Sequence, residues 1–212
     1  NVLGIVPGGS GDGLARSLAL PKSPALALAR AFSGATSRID VGYFGDRHFL
    51  NVAGVGFDAV VAGAFNRRAR RGVRGYVQDA LARVWRYQPQ HYEITLEGES
   101  SAGPMFVVIF ANGRQYGSGL VIAPRAVPWD GHLDAVSVQG GPAWRHCWRA
   151  RRLFFRSHAP ADGILRRTIT RATVSGRRMA CHVDGEVFEA DGPVAVRVEP
   201  AALRVAFGRA GE

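Results

Sequence analysis

Three short stretches combine glycines with carboxylates, which are residue types that bind phosphate, bind cations or accept protons. Residues 7–13 read PGGSGDG, residues 129–131 read WDG and residues 183–186 read VDGE. Glycines allow the backbone to approach a phosphate, aspartate can bind a hard cation, and glutamate can accept a proton. Each stretch alone is a weak signal because glycine and Asp-Gly also mark ordinary turns. Together they suggest a phosphate cradle, a metal-binding turn and a candidate general base.

The first stretch lies between a predicted strand and a predicted helix. Residues 2–6 form a short apolar run with β-branched side chains, which favours a buried strand. Residues 14–20 favour a helix that Pro21 ends. A glycine-rich turn between a strand and a helix start presents free backbone N–H groups, and these favour an anion such as phosphate.

Within this turn, Gly9 and Gly11 give the backbone room, and Ser10 offers a hydroxyl to a phosphate. No lysine follows the glycines, so the stretch is not a P-loop, and it lacks the last glycine of a dinucleotide fingerprint. The alternative is an ordinary tight turn in which Ser10 or Asp12 caps the following helix.

The two Asp-Gly stretches have equally plain alternatives. Asp184-Gly185 is a standard signal for a two-residue hairpin turn, beside which Glu186 would simply be solvated. Asp130-Gly131 also favours a turn, whose carboxylate and carbonyls would serve either a hard cation or the turn alone. The residues by themselves leave the functional and the structural interpretations open.

Composition and charge narrow the classes of partner. The chain of 212 residues is 47% hydrophobic, enough for a core, and carries a net charge of +10. This charge favours nucleotides, anionic lipid headgroups or nucleic acid, but no recognition motif accompanies it, so specific nucleic-acid binding is not expected. Apolar runs fall short of the roughly 20 residues of a spanning helix. Two cysteines without zinc-type spacing indicate a reduced, cytoplasmic setting.

Two segments carry clustered arginines beside aromatic residues. Residues 67–71 contain four arginines and precede a predicted helix over residues 73–87. The apolar face of that helix is predicted to comprise Val77, Ala80, Leu81, Val84 and Trp85. Residues 144–158 interleave five arginines with two tryptophans and two phenylalanines. Such a segment can lie at a membrane interface; the alternative is an amphipathic helix whose aromatic side chains pack in the core.

The rest of the sequence favours β-strands. Residues 37–44 and 47–53 predict a hairpin across Gly45-Asp46. Further strands are predicted at residues 92–96, 105–111, 132–138, 168–174, 179–183 and 193–198. Many strands with few helices predict a mainly β (α+β) chain with a β-sandwich or a related two-sheet architecture.

The order of these motifs resembles the diacylglycerol kinase catalytic superfamily, which includes bacterial lipid kinases, sphingosine and ceramide kinases and, more distantly, NAD kinases. Residues 7–16 (PGGSGDGLAR) are similar to the family pattern Pro-x-Gly-Thr/Ser-x-Asn-x-x-Ala-Arg. Residues 51–59 resemble its Gly-Phe-Asp-Ala strand end, residues 112–134 its central block, and residues 184–186 its C-terminal Asp-Gly-Glu turn. The resemblance covers nearly the whole chain.

The resemblance implies catalytic roles at the C-terminal turn and nucleotide contacts at the N-terminal one. Glu186 would accept the proton of a lipid hydroxyl as that hydroxyl attacks the γ-phosphate of ATP. Asp184 would orient Glu186 or help to place the metal. The nucleotide contacts would come from Gly9, Ser10, Gly11 and Asp12.

The resemblance also implies cofactors and further site residues. A structural Mg²⁺ or Ca²⁺ would be bound by the side chain of Asp130 and the backbone carbonyls of Val127 and His132. Asp58 and Asn112 would reach the cleft between nucleotide and lipid, with a helix N-cap and a turn as their respective alternatives. ATP and Mg²⁺ would serve the reaction itself.

The chain departs from the family pattern in two places. The family's Gly-Gly-Asp-Gly-Thr nucleotide loop lies upstream of the Ser10 region and does not occur here. The chain is therefore expected to be the C-terminal part of a longer kinase and to be weak or inactive alone. Residues 1–20 would be the remnant of an N-terminal α/β nucleotide domain, and residues 21–212 a β-rich domain of the NAD kinase/diacylglycerol kinase-like fold. Asp12-Gly13 stands where bacterial diacylglycerol kinases usually carry Asn-Asp.

The sequence thus predicts a lipid kinase fragment whose full enzyme transfers the γ-phosphoryl group of ATP to diacylglycerol or a sphingoid base. Such an enzyme would be cytoplasmic and peripherally associated with the membrane that holds its lipid substrate; the sequence leaves a homodimer open. One alternative is a non-catalytic lipid- or membrane-binding module, which the missing loop and the basic aromatic segment favour. The other is an NAD kinase-like enzyme that acts on a soluble substrate.

Overall fold

The structure is a computed structural model that describes residues 1–9, 11–67, 73–117, 120–154 and 163–207. Its helices are α1 (Gly13–Ser17), α2 (Pro24–Ala31), α3 (Phe57–Asn66), α4 (Val73–Val84) and α5 (Ala143–Phe154). Its strands are β1 (Ser37–Phe44), β2 (Arg47–Phe49), β3 (Val52–Gly56), β4 (Gln90–Leu96), β5 (Glu99–Ala111), β6 (Gln115–Gly117), β7 (Leu120–Val121), β8 (Leu133–Gln139), β9 (Ile164–Ile169), β10 (Arg171–Ser175), β11 (Met179–Val183), β12 (Glu186–Ala190) and β13 (Val194–Val205).

Eleven of the described strands form one curled antiparallel sheet. Its main path runs β12-β11-β3-β5-β4-β10-β13-β1-β2, while β8 pairs with both β5 and β9. The long strands change partners along their length: β5 pairs with β4 through residues 99–105 and with β3 through residues 107–111. Because such strands pass from one layer to the other, the sheet folds over itself in a sandwich-like way. The prediction of a mainly β fold is confirmed.

Strand β5 shows how the sheet separates two cores. Val108 and Phe110 point into the main core between the two halves of the curled sheet. Val107 and Ile109 point to the other face, where they pack with side chains of α4 and α5. This alternation follows from the two-residue period of a strand. It places α3, α4 and α5 together on one side of the sheet, where α4 contacts both of the other helices.

Several predicted strands match the structure closely, and one is wrong. The predictions for residues 37–44 and 179–183 coincide with β1 and β11, and β1 and β2 form the predicted hairpin. The second strand of that hairpin, predicted at residues 47–53, ends at Phe49, and β3 begins at Val52. Residues 168–174 are instead divided between β9 and β10. The break falls at Thr170, whose N–H and hydroxyl both donate to the Glu97 carboxylate.

One further strand prediction is wrong, and one strand was missed. Residues 2–6 are not a buried strand: Val2, Leu3 and Val6 are exposed, and the segment pairs with β13 only through a bridge between Leu3 and Val205. Among the described residues, no second strand flanks this segment, so its apolar side chains stay uncovered. Strand β12 was not predicted, because its alternating pattern follows an Asp-Gly turn that also fits a loop.

The predicted apolar face of residues 73–87 is only partly buried. Val84 lies in the core, whereas Leu81 and Trp85 are exposed, because they sit on the flank of the helix rather than in line with Val84. Residues 68–72 and 155–162 lie outside the described residues, and so does part of each basic segment. None of the helices in the described ranges has both the length and the apolarity needed to cross a bilayer.

Candidate functional site

A cavity of about 460 Å³ opens where the N-terminal turn, α3 and the β11–β12 hairpin meet. Its polar lining residues come from distant parts of the chain and include Gly11, Asp12, Gly13, Asn51, Asp58, Asn66, Tyr116, His182, Asp184 and Gly185. The structure thus brings together four of the predicted site residues, namely Gly11, Asp12, Asp58 and Asp184. Glu186 follows directly after the lining residue Gly185.

The Asp184 carboxylate ties the β11–β12 turn to a segment more than a hundred residues earlier in the chain. Its Oδ1 accepts the N–H groups of Asn51 at 3.0 Å and Val52 at 2.9 Å, and its Oδ2 accepts that of Leu50 at 2.8 Å. The Asp184 N–H in turn donates to the Val52 carbonyl at 2.8 Å. Charge-assisted hydrogen bonds of this kind are stronger than neutral ones, so the turn is firmly anchored.

Glu186 is an exposed residue that begins β12 immediately after this anchored turn. Asp184 and Gly185 have φ values of 47° and 93°, as a two-residue type I′ hairpin turn requires. The side chain of Asn66, at the end of α3, donates to the Gly185 carbonyl at 2.8 Å. The predicted base therefore follows directly after a lining residue of the cavity, on a backbone held from two sides.

Asp58 forms a buried hydrogen-bonded cluster with His182 and Tyr116. Its Oδ2 accepts from His182 Nε2 at 2.8 Å and from the Tyr116 hydroxyl at 2.9 Å. Its Oδ1 accepts the N–H of Ala59 at 2.8 Å. Asp58 lies in the first turn of α3, whereas Gly56 holds the N-cap position. The three side chains form a fixed polar wall in a cavity that is otherwise largely apolar.

Sequence reasoning missed His182 and Tyr116. The register of the large sheet brings His182 to Asp58, whereas Tyr116 reaches it from β6 of the separate two-stranded sheet. His182 pairs directly with Gly54 across β11 and β3. A Cβ at Gly54 would lie 2.5 Å from Asp58 Oδ2, so glycine makes room for the carboxylate there. A small residue four positions before an aspartate is the local signal, but only the strand pairing identifies the histidine.

Cys181, next to His182, is an inert thiol rather than a nucleophile. It is fully buried, and its Sγ contacts the Met179 carbonyl at 3.3 Å. Burial and, second, the nearby Asp58 charge raise the pKa of Cys181 to about 12. The thiolate needed for nucleophilic attack is therefore scarce at neutral pH.

The N-terminal turn lies across the cavity from the hairpin. Gly9 donates its N–H to Asp12 Oδ1 at 3.0 Å, and Asp12 takes a left-handed conformation with φ 50° before α1. Asp12 thus binds back into the turn and does not cap the helix with its side chain. A Cβ at Gly13 would come within 2.5 Å of Asn51 Nδ2, which explains the glycine. Ser10 lies outside the described residues.

Asn112 supports the cavity without lining it. It is fully buried, and its Nδ2 donates to the carbonyls of Asp40 at 3.0 Å and Leu50 at 2.9 Å. Its backbone N–H donates to the Asn51 carbonyl at 2.9 Å. Asn112 therefore acts on the cleft by holding the Leu50–Asn51 segment in place.

The Asp130 turn lies apart from this cavity. The Val127 carbonyl accepts the N–H of Trp129 at 2.7 Å, and Asp130 Oδ1 accepts the N–H of His132 at 3.0 Å. The His132 ring lies 2.7 Å from the Asp130 carbonyl. Burial and, second, the charge of Asp130 raise the pKa of the neighbouring Asp134 carboxyl. Arg125 and His132 lie near enough to act on the pKa of Asp134 in the opposite direction, so charges of both signs surround this exposed turn.

The oxygen atoms at the Asp130 turn and in the cavity fit a hard cation only when further ligands bind it as well. Within the part of the chain that the structure describes, no group of three or more His, Cys, Asp or Glu side chains is placed to hold a metal ion. At the Asp130 turn, a cation would depend on backbone carbonyls, as Ca²⁺ and Mg²⁺ sites often do. In the cavity, Mg²⁺ would depend on phosphate oxygens beside one or two carboxylates, which is its usual form of binding next to nucleotides.

Two family descriptions match the chain in succession. Residues 2–44 match the diacylglycerol kinase catalytic domain, and residues 51–207 match the YegS C-terminal NAD kinase beta sandwich-like domain. The cavity draws its lining from both regions. The predicted division at residue 20 remains a prediction.

Individual relatives agree with these matches. The chain is 31% identical over 217 residues to a diacylglycerol kinase of Mycobacterium tuberculosis, covering 99% of this chain and 70% of that protein. It is 30% identical to a protein of Pseudomonas putida named "Probable lipid kinase YegS-like", covering 96% of this chain and 67% of that protein.

The fold of the chain agrees with these family and sequence matches as well. The crystal structure of a diacylglycerol kinase from Bacillus anthracis superposes with a TM-score of 0.73, covering 98% of this chain and 67% of that one. Its sequence identity of 16% supports the fold alone. With the two domain matches and the relatives above, the chain belongs to the family of diacylglycerol kinases and YegS-like lipid kinases.

Proposed function

We propose that this chain is the lipid-side part of a kinase that transfers the γ-phosphoryl group of ATP to a hydroxyl of diacylglycerol or a sphingoid base. The observation that carries the proposal is the cavity shared by the two family regions. There the turn of Gly11 and Asp12 faces Asp58 and the anchored Asp184 turn. A phosphoryl transfer site needs such convergence, because its catalysis consists mostly of positioning and electrostatic stabilisation.

The phosphates would lie against the N-terminal turn. The backbone around Gly11 would contact them, together with the predicted contacts Gly9 and Ser10. Asp12 and Asp58 in the same cavity would repel a bare triphosphate. Mg²⁺ bound with the nucleotide would offset that negative charge and polarise the γ-phosphoryl group. The positively charged protein as a whole favours the approach of the anionic nucleotide.

Glu186 would act as general base on the acceptor hydroxyl. As the lipid oxygen forms its bond to the γ-phosphorus, the hydroxyl proton passes to the Glu186 carboxylate and the bond from the γ-phosphorus to the bridging oxygen of ADP breaks. Asp184 would position this base through the three backbone hydrogen bonds that fix the turn. An exposed carboxylate on a rigid support suits a substrate that enters from outside.

The Asp130 turn would stabilise the domain and take no part in the chemistry. A structural Mg²⁺ or Ca²⁺ held there by Asp130 and the carbonyls of Val127 and His132 would order an exposed loop. The turn does not line the cavity, so a cation there would act on stability.

The direct test is Glu186→Gln in the natural full-length protein. We expect turnover of the lipid substrate to fall by about a hundredfold or more, as loss of a general base typically causes. ATP binding, measured by calorimetry, should not change. Glu189→Gln is the matched control, because Glu189 is an exposed carboxylate on the same strand and should keep full activity. Equal turnover in the two variants would exclude Glu186 as the base.

A substrate panel tests the reaction class separately. Diacylglycerol, a sphingoid base and NAD⁺ would each be incubated with the full-length protein, ATP and Mg²⁺. Phosphorylation of one of the lipids would support the proposal and identify its substrate. Phosphorylation of NAD⁺ alone would replace it with the soluble-substrate alternative, and no phosphorylation with intact lipid binding would favour a non-catalytic module.

A further inference from the structure

Two neighbouring helices on one side of the sheet expose large apolar side chains to solvent. These side chains are Leu81 (54% exposed), Trp85 (67%), Trp144 (61%) and Trp148 (49%), and we call them the tryptophan face. Leu81 and Trp85 are four residues apart on and just after α4, and the other pair is four apart on α5, so each pair shares one side of its helix. The two helices touch each other. The two pairs therefore lie in one region of the surface.

Helix α5 buries polar side chains and exposes tryptophans, whereas a surface helix usually buries its apolar side chains. Its buried side carries His146 and Arg149, each only 4% exposed. The His146 ring stacks on Phe106 with centroids 3.8 Å apart, and Arg149 Nη1 donates to the Gln139 carbonyl at 2.7 Å. Buried histidine and arginine with exposed tryptophans reverse the usual pattern, in which the apolar stripe faces the core. For Trp144 and Trp148 this orientation agrees with the interface interpretation rather than with packing in the core, whereas the side chains of Phe154 and Phe155 lie outside the described part of the structure. It points to a partner for the outer side.

The charge of the two helices indicates what that partner is. Residues 73–84 and 143–154 contain six arginines, one of them the buried Arg149, and one acidic residue, Asp79. Asp79 is buried and bound to Arg83 at 3.1 Å, so it adds no exposed negative charge. The Arg145 guanidinium lies over the Trp144 ring, 5.3 Å from its centroid. Tryptophan with arginine is the combination that settles at the boundary between headgroups and acyl chains of anionic bilayers.

We propose that the tryptophan face docks the protein on the surface of an anionic lipid bilayer. A second copy of the chain is a poorer occupant, because self-association would bring the same arginine-rich helices together and like charges oppose this. Docking would be peripheral: the tryptophans would enter the headgroup region while the sheet stays in water.

The position of the face fits the proposed lipid substrate, on which this part of the inference rests. Helix α3 lines the cavity with Asp58 and Asn66. Helix α4 packs against α3, and Phe57 of α3 lies edge-on to Tyr87, just beyond α4, with ring centroids 5.2 Å apart. A bilayer bound to the tryptophan face would therefore lie one helix away from the cavity, close to where a lipid must leave the membrane.

Vesicle binding by the natural full-length protein tests the proposal without ATP. Vesicles of phosphatidylcholine alone and with phosphatidylserine would be sedimented with wild type and with the double variant Trp144→Ala/Trp148→Ala. We expect at least about tenfold weaker binding of the double variant to phosphatidylserine vesicles, and weaker binding of wild type as salt rises. Leu165→Ala is the control, since Leu165 is an exposed apolar residue of β9 and should bind like wild type.

A second readout reports the tryptophans directly. Lipids brominated in the acyl chain should quench wild-type fluorescence on binding, and the double variant should lose most of that quenching. Trp129 packs against Phe207 and supplies an unquenched background. Circular dichroism would confirm that both variants are folded. Unchanged vesicle binding and quenching in the folded double variant would overturn the proposal, and a change in dimerisation alone would assign the face to a second copy.

Activity on a short-chain, water-soluble diacylglycerol separates this proposal from the proposed function. Without vesicles, the double variant should match wild type, because the tryptophans do not line the cavity. Turnover absent in both proteins, with vesicle binding still dependent on the tryptophans, would reject the kinase reaction and retain the docking face.

Discussion

The Asp184-Gly185 and Asp130-Gly131 turns look alike in the sequence, yet their carboxylates accept hydrogen bonds from different parts of the chain. Asp184 accepts backbone N–H groups from Leu50, Asn51 and Val52. Asp130 accepts one from His132, only two residues away. An Asp-Gly pair thus predicts a turn. Whether its carboxylate links distant parts of the fold depends on which other segment packs against the turn.

The surroundings of the two turns extend this difference. The Asp130 turn is held by another carboxylate, because buried Asp40 accepts the Gly131 N–H through Oδ2 and the Ala201 N–H through Oδ1, both at 2.7 Å. Beside the Asp184 turn, His182 and Asp58 form a buried pair with 2.8 Å between Nε2 and Oδ2. The Asp184 turn is therefore part of the cavity wall, whereas the Asp130 turn is a surface loop that buried Asp40 holds in place.

The largest expected effect comes from removing each carboxylate in turn. Asp184→Ala leaves three backbone N–H groups without their charged acceptor, which should lower the free energy of unfolding by about 2–3 kcal/mol. Asp130→Ala removes one local hydrogen bond in an exposed loop and should cost about 1 kcal/mol or less. Urea unfolding of the two variants measures both values.

Asp184→Asn serves as the intermediate variant. Asn51 and Val52 share Oδ1, so a single amide oxygen can keep both of their N–H groups, while the amide nitrogen meets the Leu50 N–H. The loss should therefore be smaller than for alanine. Equal losses in Asp184→Ala and Asp130→Ala would contradict the distinction between the two turns.

A smaller effect should appear in the energetic coupling of side chains near each turn. In a double-mutant cycle, Asp58→Ala with Tyr116→Phe should show a coupling of about 1–2 kcal/mol, because a buried carboxylate accepts the tyrosine hydroxyl. The matched cycle, Asp130→Ala with His132→Ala, should give about 0.5 kcal/mol or less, because both side chains are exposed. Comparable coupling energies in the two cycles would mean that burial does not make the Asp58–Tyr116 pair more strongly coupled than the exposed Asp130–His132 pair.

The sequence predicts the local elements better than their contacts. Strand β11 and the hairpin of β1 and β2 follow from alternation and turn residues, which are local properties. The division between β9 and β10 at Thr170 depends on Glu97, whose carboxylate binds there from a distant strand end. For the tryptophans of α5 the sequence left both orientations open, because amphipathicity alone does not say which side of a helix faces the core.

The same limit applies to the site. Asp58 stands out because a carboxylate directly after an apolar strand is unusual, and Asp184 because of its turn. His182 does not stand out, since a single histidine in an alternating strand reads as an ordinary core residue. Its role depends on the pairing of His182 with Gly54, which leaves space above the glycine for Asp58. Such long-range register is the information that one sequence lacks.

The smallest expected effect is that of divalent cations on the Asp130 turn. If a cation binds there, a concentration equal to its dissociation constant adds about 0.4 kcal/mol, which corresponds to about one degree in melting temperature for a chain of this size. We therefore expect a chelator to lower the melting temperature of wild type by that amount and to leave Asp130→Asn unchanged. Asp46→Asn, in the Gly45-Asp46 turn, is the control and should respond like wild type. If neither chelator nor added Ca²⁺ changes the melting temperature of wild type, the Asp130 turn is stabilised by hydrogen bonds alone. Of the two Asp-Gly carboxylates, Asp184 would then be the one with a role beyond its own turn.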